Sequence, residues 1–326
     1  MVPSRRLALA GLLSLCAGFA MAQPQPYPAR PVKIIVPLAP GGSTDLVARS
    51  VGIELSRIWG VPVIIENRVG AGGVIGLQAL ASAPPDGYTL MLGNVSTNAL
   101  NQTIYADKMS FKPDEAMVPV TMVATVGSVL IASNQQKPTL KEFIADAKAN
   151  PGKFNYASTG IGAYGMLDGA MLMRAAGMDV AQVPYPAGGS ALILPLLNND
   201  AQIAFLTTPP SLELVRAGKV RAYAVTAAKR IPQLPDVPTM AELGFPGVGT
   251  EAWQGLFAPT GTPSDILQKI HAGVQAAVAS PAVQTQFDRA VIASTVSPSV
   301  EDFRKVVTQD IVHWRNVVHD VGLKLN

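Results

Sequence analysis

The sequence is poor in cysteine and in charge. Its 326 residues include one cysteine, Cys16, and only 14% of them are Asp, Glu, Lys or Arg. Cys16 lies in an apolar run near the N-terminus, so the rest of the chain has no thiol for a disulfide or a thiolate metal site. The formal net charge is only +3, and no run of basic residues marks a nucleic-acid or anionic membrane partner. We therefore expect neither a disulfide scaffold nor a nucleic-acid-binding protein.

Catalytic signatures are also missing. The three histidines, His271, His313 and His319, lie in C-terminal helical patterns without the His-Glu-x-x-His spacing of zinc enzymes. No Gly-x-Ser-x-Gly nucleophile motif occurs. Asp45 and Asp168 could form an acid/base pair, but two isolated carboxylates among 22 acidic residues are weak evidence. The sequence predicts no enzyme, no metal and no cofactor.

The N-terminus has the pattern of an export signal. Arg5 and Arg6 precede an apolar run over residues 7–19, which is followed by Ala20-Met21-Ala22. The run is shorter than the roughly 20 residues that a membrane-spanning helix needs, and Ala-x-Ala is typical of a cleavage site. We predict a signal peptide at residues 1–22. The Ser-Arg-Arg segment matches the twin-arginine pattern only in part, so both export routes stay open.

Short β-branched runs alternate with helical patterns along the rest of the chain. Residues 32–37, "VKIIVP", precede a glycine-containing loop and a segment with helical periodicity, and the pattern recurs after "VPVIIE". Such alternation predicts an α/β fold with parallel, doubly wound sheets. A second unit begins near residue 126, and its first helix opens with Thr139 and Glu142 at capping-box spacing. About 300 residues commonly divide into two domains.

The segment "STGIGAYG", residues 158–165, contains the Gly-x-Gly-x-x-Gly spacing of dinucleotide-binding folds. A dinucleotide site also needs an acid at the end of the next strand, but "AQVPYPAGG" ends in proline and glycine, and Asp179 precedes it. A second interpretation is an anion site made of backbone N–H groups and a helix N-terminus. A third is that the glycines only let a helix pack closely on a strand.

Eight segments together carry a resemblance to a known family. They are, in order, "YPARPVKIIVPLAPGGSTDLVAR", "VIIENRVGAGGVIG", "PDGYTLMLGN", "KANPGKFNYASTGIG", "VPY", "GKVRAYAVT", "LPDVPTMAELGFPG" and "WQGLFAPTGTP". The chain resembles periplasmic solute-binding proteins of the tripartite tricarboxylate transporter family, the Bug-type receptors. The resemblance implies a two-domain type II periplasmic-binding-protein fold with a ligand cleft between the lobes. We expect domain 1 at residues 23–125 and 251–326, and domain 2 at residues 126–250.

The resemblance also implies which residues contact a ligand. In the family, one loop from each lobe faces the cleft, and the two loops clamp a ligand carboxylate, largely through ordered waters. They correspond here to Leu38, Ala39, Pro40, Gly41, Gly42, Ser43, Thr44 and Asp45 in the first lobe and Ser158, Thr159, Gly160, Gly162 and Ala163 in the second. Because a carboxylate would repel an anion, we interpret Asp45 as a first-turn acid that fixes its loop.

Strand ends supply further candidates. Ser96, Thr97 and Asn98 follow one predicted strand, and Thr207 follows another. Each could also be an ordinary polar turn.

Departures from the family pattern suggest the class of ligand. Leu38 stands where many relatives carry an aromatic residue, Ala163 and Met166 replace a common Ser and His, and Leu206 replaces a common Asp. We hypothesise an apolar or aromatic carboxylic acid, bound by a monomer in the periplasm and delivered to integral-membrane transporter subunits. A ligand sensor that presents its closed form to a signalling receptor is the alternative.

Overall fold

The computed structural model describes residues 27–185 and 189–321. The predicted signal peptide lies outside the described residues. Among the helices of the two described ranges, none combines the length and the apolar character that crossing a membrane requires.

Strands and helices alternate along most of the described chain. The strands are β1 (Val32–Val36), β2 (Val63–Asn67), β3 (Thr89–Asn94), β4 (Met117–Val126), β5 (Ser128–Ser133), β6 (Phe154–Ser158), β7 (Val180–Pro184), β8 (Ile203–Thr207), β9 (Val220–Val225), β10 (Ala252–Pro259) and β11 (Ile292–Ser294). The helices are α1 (Ser43–Trp59), α2 (Val74–Ala81), α3 (Asn101–Ile104), α4 (Pro113–Ala116), α5 (Leu140–Ala149), α6 (Tyr164–Ala176), α7 (Ile193–Asn198), α8 (Thr208–Arg216), α9 (Ser264–Val278), α10 (Pro281–Ala290) and α11 (Val300–Asp320). A further helical turn, Ser96–Leu100, follows β3.

The strands form two sheets, each of which is the centre of one lobe. Lobe 1 contains the six-stranded sheet with the order β11-β4-β10-β3-β1-β2, and lobe 2 contains the five-stranded sheet with the order β7-β6-β8-β5-β9. The chain passes from lobe 1 to lobe 2 at Gly127, between β4 and β5, and β10 begins its return at Ala252. We call Gly127 and residues 248–251 the crossing segments.

The prediction of parallel sheets is correct for only part of each sheet. β1 pairs in parallel with β2 and β3, and β6 pairs in parallel with β7 and β8. β10 is antiparallel to β3 and β4, and β5 is antiparallel to β8 and β9. The reason is the double crossing: β4 leads out of lobe 1 and β10 leads back beside it, so the two strands run in opposite directions.

Local signals place the helices. The predicted capping box of α5 is confirmed, because the Glu142 N–H donates to Thr139 Oγ1 and the Glu142 carboxylate accepts from the Thr139 N–H. Such a cap contributes about 1 kcal/mol. Helix α1 ends at Gly60, which adopts a left-handed φ of 68° and donates its N–H to the Ser56 carbonyl.

Hydrophobic cores cover both faces of the lobe 1 sheet. Val47 and Leu55 of α1 pack with Ile270 of α9 on one face. On the other face the core includes Trp253 and Trp314, which are 3% and 4% exposed and are therefore packing residues. Side chains from the start of α6, a lobe 2 helix, belong to this second core: Tyr164, Met166 and Leu167. Burial of such side chains stabilises a fold by about 1.5–3 kcal/mol each. The lobes are therefore packed together through α6.

Candidate functional site

Asp45 holds the loop that follows β1. Its Oδ2 accepts hydrogen bonds from the Gly41 N–H at 3.0 Å and from Arg49 Nε at 2.9 Å. Its Oδ1 accepts from Asn67 Nδ2 at 2.9 Å. Burial acts to raise the pKa of Asp45, but these hydrogen bonds and the Arg49 charge together lower the pKa below its ordinary value. All partners belong to lobe 1, as expected of a residue that fixes its loop.

The same loop leads to an unprotected helix N-terminus. Gly42 is the N-cap of α1 and has no side chain with which to cap the first turn. Pro40 and Gly41 are exposed, Leu38, Ala39 and Gly42 are half-buried, and Ser43 and Thr44 are buried. Gly41 has a φ of +82°, a conformation that other residues adopt only with strain. The first N–H groups of α1 therefore remain suited to an anion.

The loop between β6 and α6 has the corresponding geometry in lobe 2. Ser158 Oγ accepts hydrogen bonds from the Gly160 N–H at 3.2 Å and from Gln182 Nε2 at 2.8 Å. Gly160 and Gly162 have φ values of +100° and +91°. Thr159 is half-buried, and Ala163, the N-cap of α6, packs against the lobe 1 core. The glycines therefore shape a turn that also meets the other lobe.

Hydrogen bonds join the two lobes beside this turn. The Tyr164 N–H donates to Ser96 Oγ at 3.0 Å, and the Tyr105 hydroxyl donates to the Ile161 carbonyl at 2.9 Å. Gly162 lies so close to lobe 1 that a Cβ there would be 2.5 Å from Asn101 Oδ1 and 2.8 Å from the Tyr105 ring. Of the candidates that follow strand ends, Ser96 is thus at the contact between lobes.

The other strand-end candidates have different surroundings. Thr97 accepts from the Asn94 N–H at 3.0 Å and donates to Asn98 Oδ1 at 2.6 Å, so its hydroxyl is used inside the turn. Asn98 also lines a cavity of about 500 Å³ whose walls all belong to lobe 1. Thr207 is half-buried and pairs with Ser128 next to a crossing segment. Among the described residues, neither Asn98 nor Thr207 forms a side-chain hydrogen bond to either glycine loop.

A third loop, which we did not predict as part of the site, lies beside Pro37 at the start of the first loop. Residues 70–73 follow β2, and a Cβ at Gly73 would be 2.7 Å from Thr97 Cγ2 and 3.5 Å from Pro37 Cβ. Asn101 Nδ2 donates to the Gly72 carbonyl. The glycine run in "NRVGAGG" at the carboxyl end of a parallel strand was the available signal, because ligands of open α/β sheets bind at that edge.

A buried polar cluster lies beneath the start of α1. Thr44 Oγ1 donates to Gln254 Oε1 at 2.7 Å and accepts from Asn94 Nδ2 at 3.2 Å. Thr44, Asn94 and Gln254 are 1%, 5% and 0% exposed. No sequence pattern predicted this cluster, because its members come from α1, β3 and β10, which are far apart in the chain.

Asp168 lies at a crossing segment. Its Oδ1 accepts from Thr250 Oγ1 at 2.7 Å and its Oδ2 from the Thr250 N–H at 3.3 Å. Burial raises the pKa of Asp168 to about 7. Asp45 and Asp168 have no hydrogen-bond partner in common, so the structure does not join them as an acid/base pair. Residues 27–185 and 189–321 contain no group of three or more side chains arranged to bind a metal ion.

Comparisons with known proteins give a consistent result. The family model described as the tripartite tricarboxylate transporter family receptor matches residues 47–323. Protein BugT of Bordetella pertussis is 35% identical over 324 residues, which are 99% of each chain. The structure resembles Rpa4515 of Rhodopseudomonas palustris with adipate at 30% identity and a TM-score of 0.85, over 91% of this chain and 98% of that one. It also resembles MatC (Rpa3494) from the same species with bound malate at 33% identity and a TM-score of 0.81, over 90% and 100%.

Proposed function

The chain belongs to the tripartite tricarboxylate transporter family of receptors, and we propose that it captures a small carboxylic acid between its lobes and delivers it to a membrane transporter. Family membership confirms the resemblance, the two-lobed fold and the prediction that the chain is a solute-binding protein and not an enzyme. The ligand, the transporter and the boundaries of the two domains remain proposals.

The observation that supports the proposal is that each lobe has a glycine loop leading into a helix N-terminus, and that the lobe 2 loop packs against lobe 1. Gly42 opens α1 without a side-chain cap in lobe 1, and Gly160 and Gly162 shape the loop before α6 in lobe 2. Asp45 is the acid of the first loop, and its charge is paired with Arg49. Backbone N–H groups and a helix N-terminus favour a carboxylate. Ordered waters could complete the contacts at little cost in affinity.

Relatives and buried side chains narrow the ligand class. Solved relatives contain malate or adipate, so a carboxylate is the shared feature. Met166 and Leu206 are 1% and 2% exposed and belong to hydrophobic cores, so neither is a free wall of a cleft. Leu38, which is half-buried beside the first loop, is the residue that supports an apolar or aromatic acid.

The family and the predicted export signal support a periplasmic location and a membrane partner. A periplasmic receptor would meet integral-membrane subunits, and closure after capture would create the docking surface. The alternative, a sensor for a signalling receptor, uses the same closed form. Uptake of labelled acid by vesicles that contain the membrane subunits distinguishes the two, because only a transport receptor stimulates it.

The binding proposal is tested by a thermal-shift screen with monocarboxylates, malate, adipate, citrate, benzoate, amino acids and NAD. A ligand at 100 times its Kd stabilises the folded state by about 2.7 kcal/mol. We expect an increase in Tm with apolar or aromatic acids. Binding of citrate or amino acids alone would refute that ligand class, and a panel in which no carboxylate raises Tm would refute the receptor proposal itself.

A further inference from the structure

Gln254 combines complete burial with an unpartnered hydrogen-bond donor. The residue is 0% exposed in β10. Its Oε1 accepts from Thr44 Oγ1 at 2.7 Å, but its Nε2 has no hydrogen-bond partner in the described part of the chain. Burial of an amide N–H without an acceptor is unfavourable, so nearly all such groups in folded proteins have one. We therefore expect Gln254 Nε2 to have a hydrogen-bond acceptor when the protein is in its functional state.

The amide lies at the edge of the sheet where a ligand is expected. In the β10–β3 pairing Gln254 is opposite Asn94, the last residue of β3. Thr44, which Gln254 contacts, is the second residue of α1. The carboxyl ends of parallel strands and the N-termini of the following helices form the ligand-binding edge of an open α/β sheet. Gln254 thus reaches this edge from a strand that sequence motifs do not connect with it.

Among the described residues, no acceptor lies within hydrogen-bond distance of Gln254 Nε2. The Thr44 hydroxyl has one proton, which it donates to Gln254 Oε1, and it accepts from Asn94 Nδ2. The Asp45 oxygens are bonded to Gly41, Arg49 and Asn67. The hydroxyl of Thr44 therefore fixes the orientation of the amide, with its oxygen toward α1 and its nitrogen left to bind something else.

We propose that Gln254 Nε2 donates a hydrogen bond to the ligand carboxylate, or to the water that this carboxylate holds, and so determines specificity for an acceptor group. The inference rests on the proposed function, because it assumes that the anion occupies the N-terminus of α1. It adds a side-chain donor from β10 to loops that contribute mainly backbone N–H groups. A neutral amide at this position also avoids the repulsion that an acid would cause.

Titration calorimetry of the purified protein with adipate, malate and benzoate tests this proposal. The variants are Q254M, which removes the donor and keeps a similar length, and Q254E, which is nearly isosteric but acidic. T121V is the matched control: Thr121 is 0% exposed in the same sheet, and its hydroxyl bonds to Met122 and Ser297, outside the cluster. Urea unfolding without ligand shows whether each variant keeps its fold, and Q254E gives the same test if Q254M does not fold.

We expect Q254M to weaken binding of the preferred acid at pH 7 by about tenfold or more, because hydrogen bonds to charged groups are the strong ones. Q254E should weaken binding further, while T121V stays within about twofold of the unaltered protein. Equal affinities for Q254M and the unaltered protein would overturn the role of Gln254 and leave the receptor function intact. If the unaltered protein binds none of the three acids and no other carboxylate raises its Tm, the receptor function fails, and this inference fails with it.

Discussion

Single residues explain how the acidic side chain of Asp45 is tolerated next to a proposed anion site and how closely the lobe 2 loop approaches lobe 1. Asp45 is tolerated because Arg49, Gly41 and Asn67 use both carboxylate oxygens, which lowers its pKa and pairs its charge. Because both of its oxygens are hydrogen-bonded within lobe 1, the Asp45 carboxylate holds the loop in place, and the N-terminus of α1 can still attract an anion. The interpretation of Asp45 as a loop-fixing acid came from its position in the first helical turn, which the sequence alone reveals.

Substitution of Gly162 tests whether this single residue controls how closely the two lobes approach. Alanine there would adopt a strained positive φ and would press on Asn101 and Tyr105 of lobe 1. We expect G162A to separate the lobes, with a larger radius of gyration in small-angle scattering and at least about tenfold weaker binding of adipate or another accepted acid.

The matched control for this prediction is G218A. Gly218 has a φ of +63° and nothing within 4 Å of an added Cβ. The change should cost about 1 kcal/mol of stability through backbone strain alone, with scattering and affinity unchanged. If G162A and G218A behave alike in both measurements, Gly162 does not control the approach of the lobes.

At the scale of elements, the sequence predicted those features of strands, helices and loops that depend on residues close together in the chain. Alternating strands and helices, the capping box at Thr139 and the glycine loops before α1 and α6 all follow from short-range chemistry. β4 was not predicted, because Pro119 interrupts an apolar run that merges with β5. The antiparallel return of β10 and the partners of Gln254 depend on contacts between residues far apart in the chain. Such contacts leave no periodic signal.

One contact between residues far apart in the chain, the hydrogen bond from the Tyr164 N–H of α6 to Ser96, leads to a prediction. The N-cap of α6, Ala163, cannot cap it, and Ser96 from the other lobe accepts the Tyr164 N–H instead. We expect S96A to weaken acid binding about fivefold. A helix cap contributes about 1 kcal/mol, and the Ser96 cap of α6 forms only when the two lobes are in contact, so its loss disfavours the closed form that binds the acid. Amide hydrogen exchange at Tyr164 should also become faster without ligand, which mere loss of a ligand contact would not cause.

S280A is the comparison for this prediction. Ser280 caps α10 within lobe 1 by accepting from the Val283 N–H at 3.3 Å. Removal of this cap should lower the free energy of unfolding by about 1 kcal/mol and leave affinity unchanged. Unchanged affinity and unchanged Tyr164 exchange in S96A would show that Ser96 does not couple the lobes.

At the scale of the whole molecule, a crossing segment between the lobes contacts a buried ionisable side chain, Asp168. Asp168 of α6 accepts from Thr250 and borders a cavity of about 230 Å³ with Glu251, Asp310 and His313. Burial also raises the pKa of Asp310, which accepts from Trp253. A buried acid, Asp168, and a half-buried acid, Asp310, both with raised pKa values, therefore lie where α6, α11 and a crossing segment meet.

We predict that this arrangement makes stability fall as pH rises toward neutrality. The pKa of Asp168 is about 7 in the folded state against an ordinary value of 3.8, so the folded state binds more protons than the unfolded state between pH 4 and 7. The contribution is present in full below about pH 4 and is lost by about pH 7, with an upper limit of about 4 kcal/mol at 1.36 kcal/mol per pKa unit. Urea unfolding at several pH values measures this slope.

D168N should remove this part of the slope, because asparagine does not titrate. D265N, which alters an exposed acid on α9, should retain it. An unchanged slope in D168N would show that Asp168 ionises without cost in the folded state.

The central claim is that two glycine loops on opposite lobes hold one carboxylate. The most direct test is a crystal structure of the protein with the acid that gives the largest thermal shift. We predict a carboxylate between residues 38–45 and residues 158–162, with backbone N–H groups of both loops within about 3.5 Å of its oxygens or of waters bound to them. An acid that contacts only one lobe, or one that occupies the cavity beside Asn98, would contradict the claim.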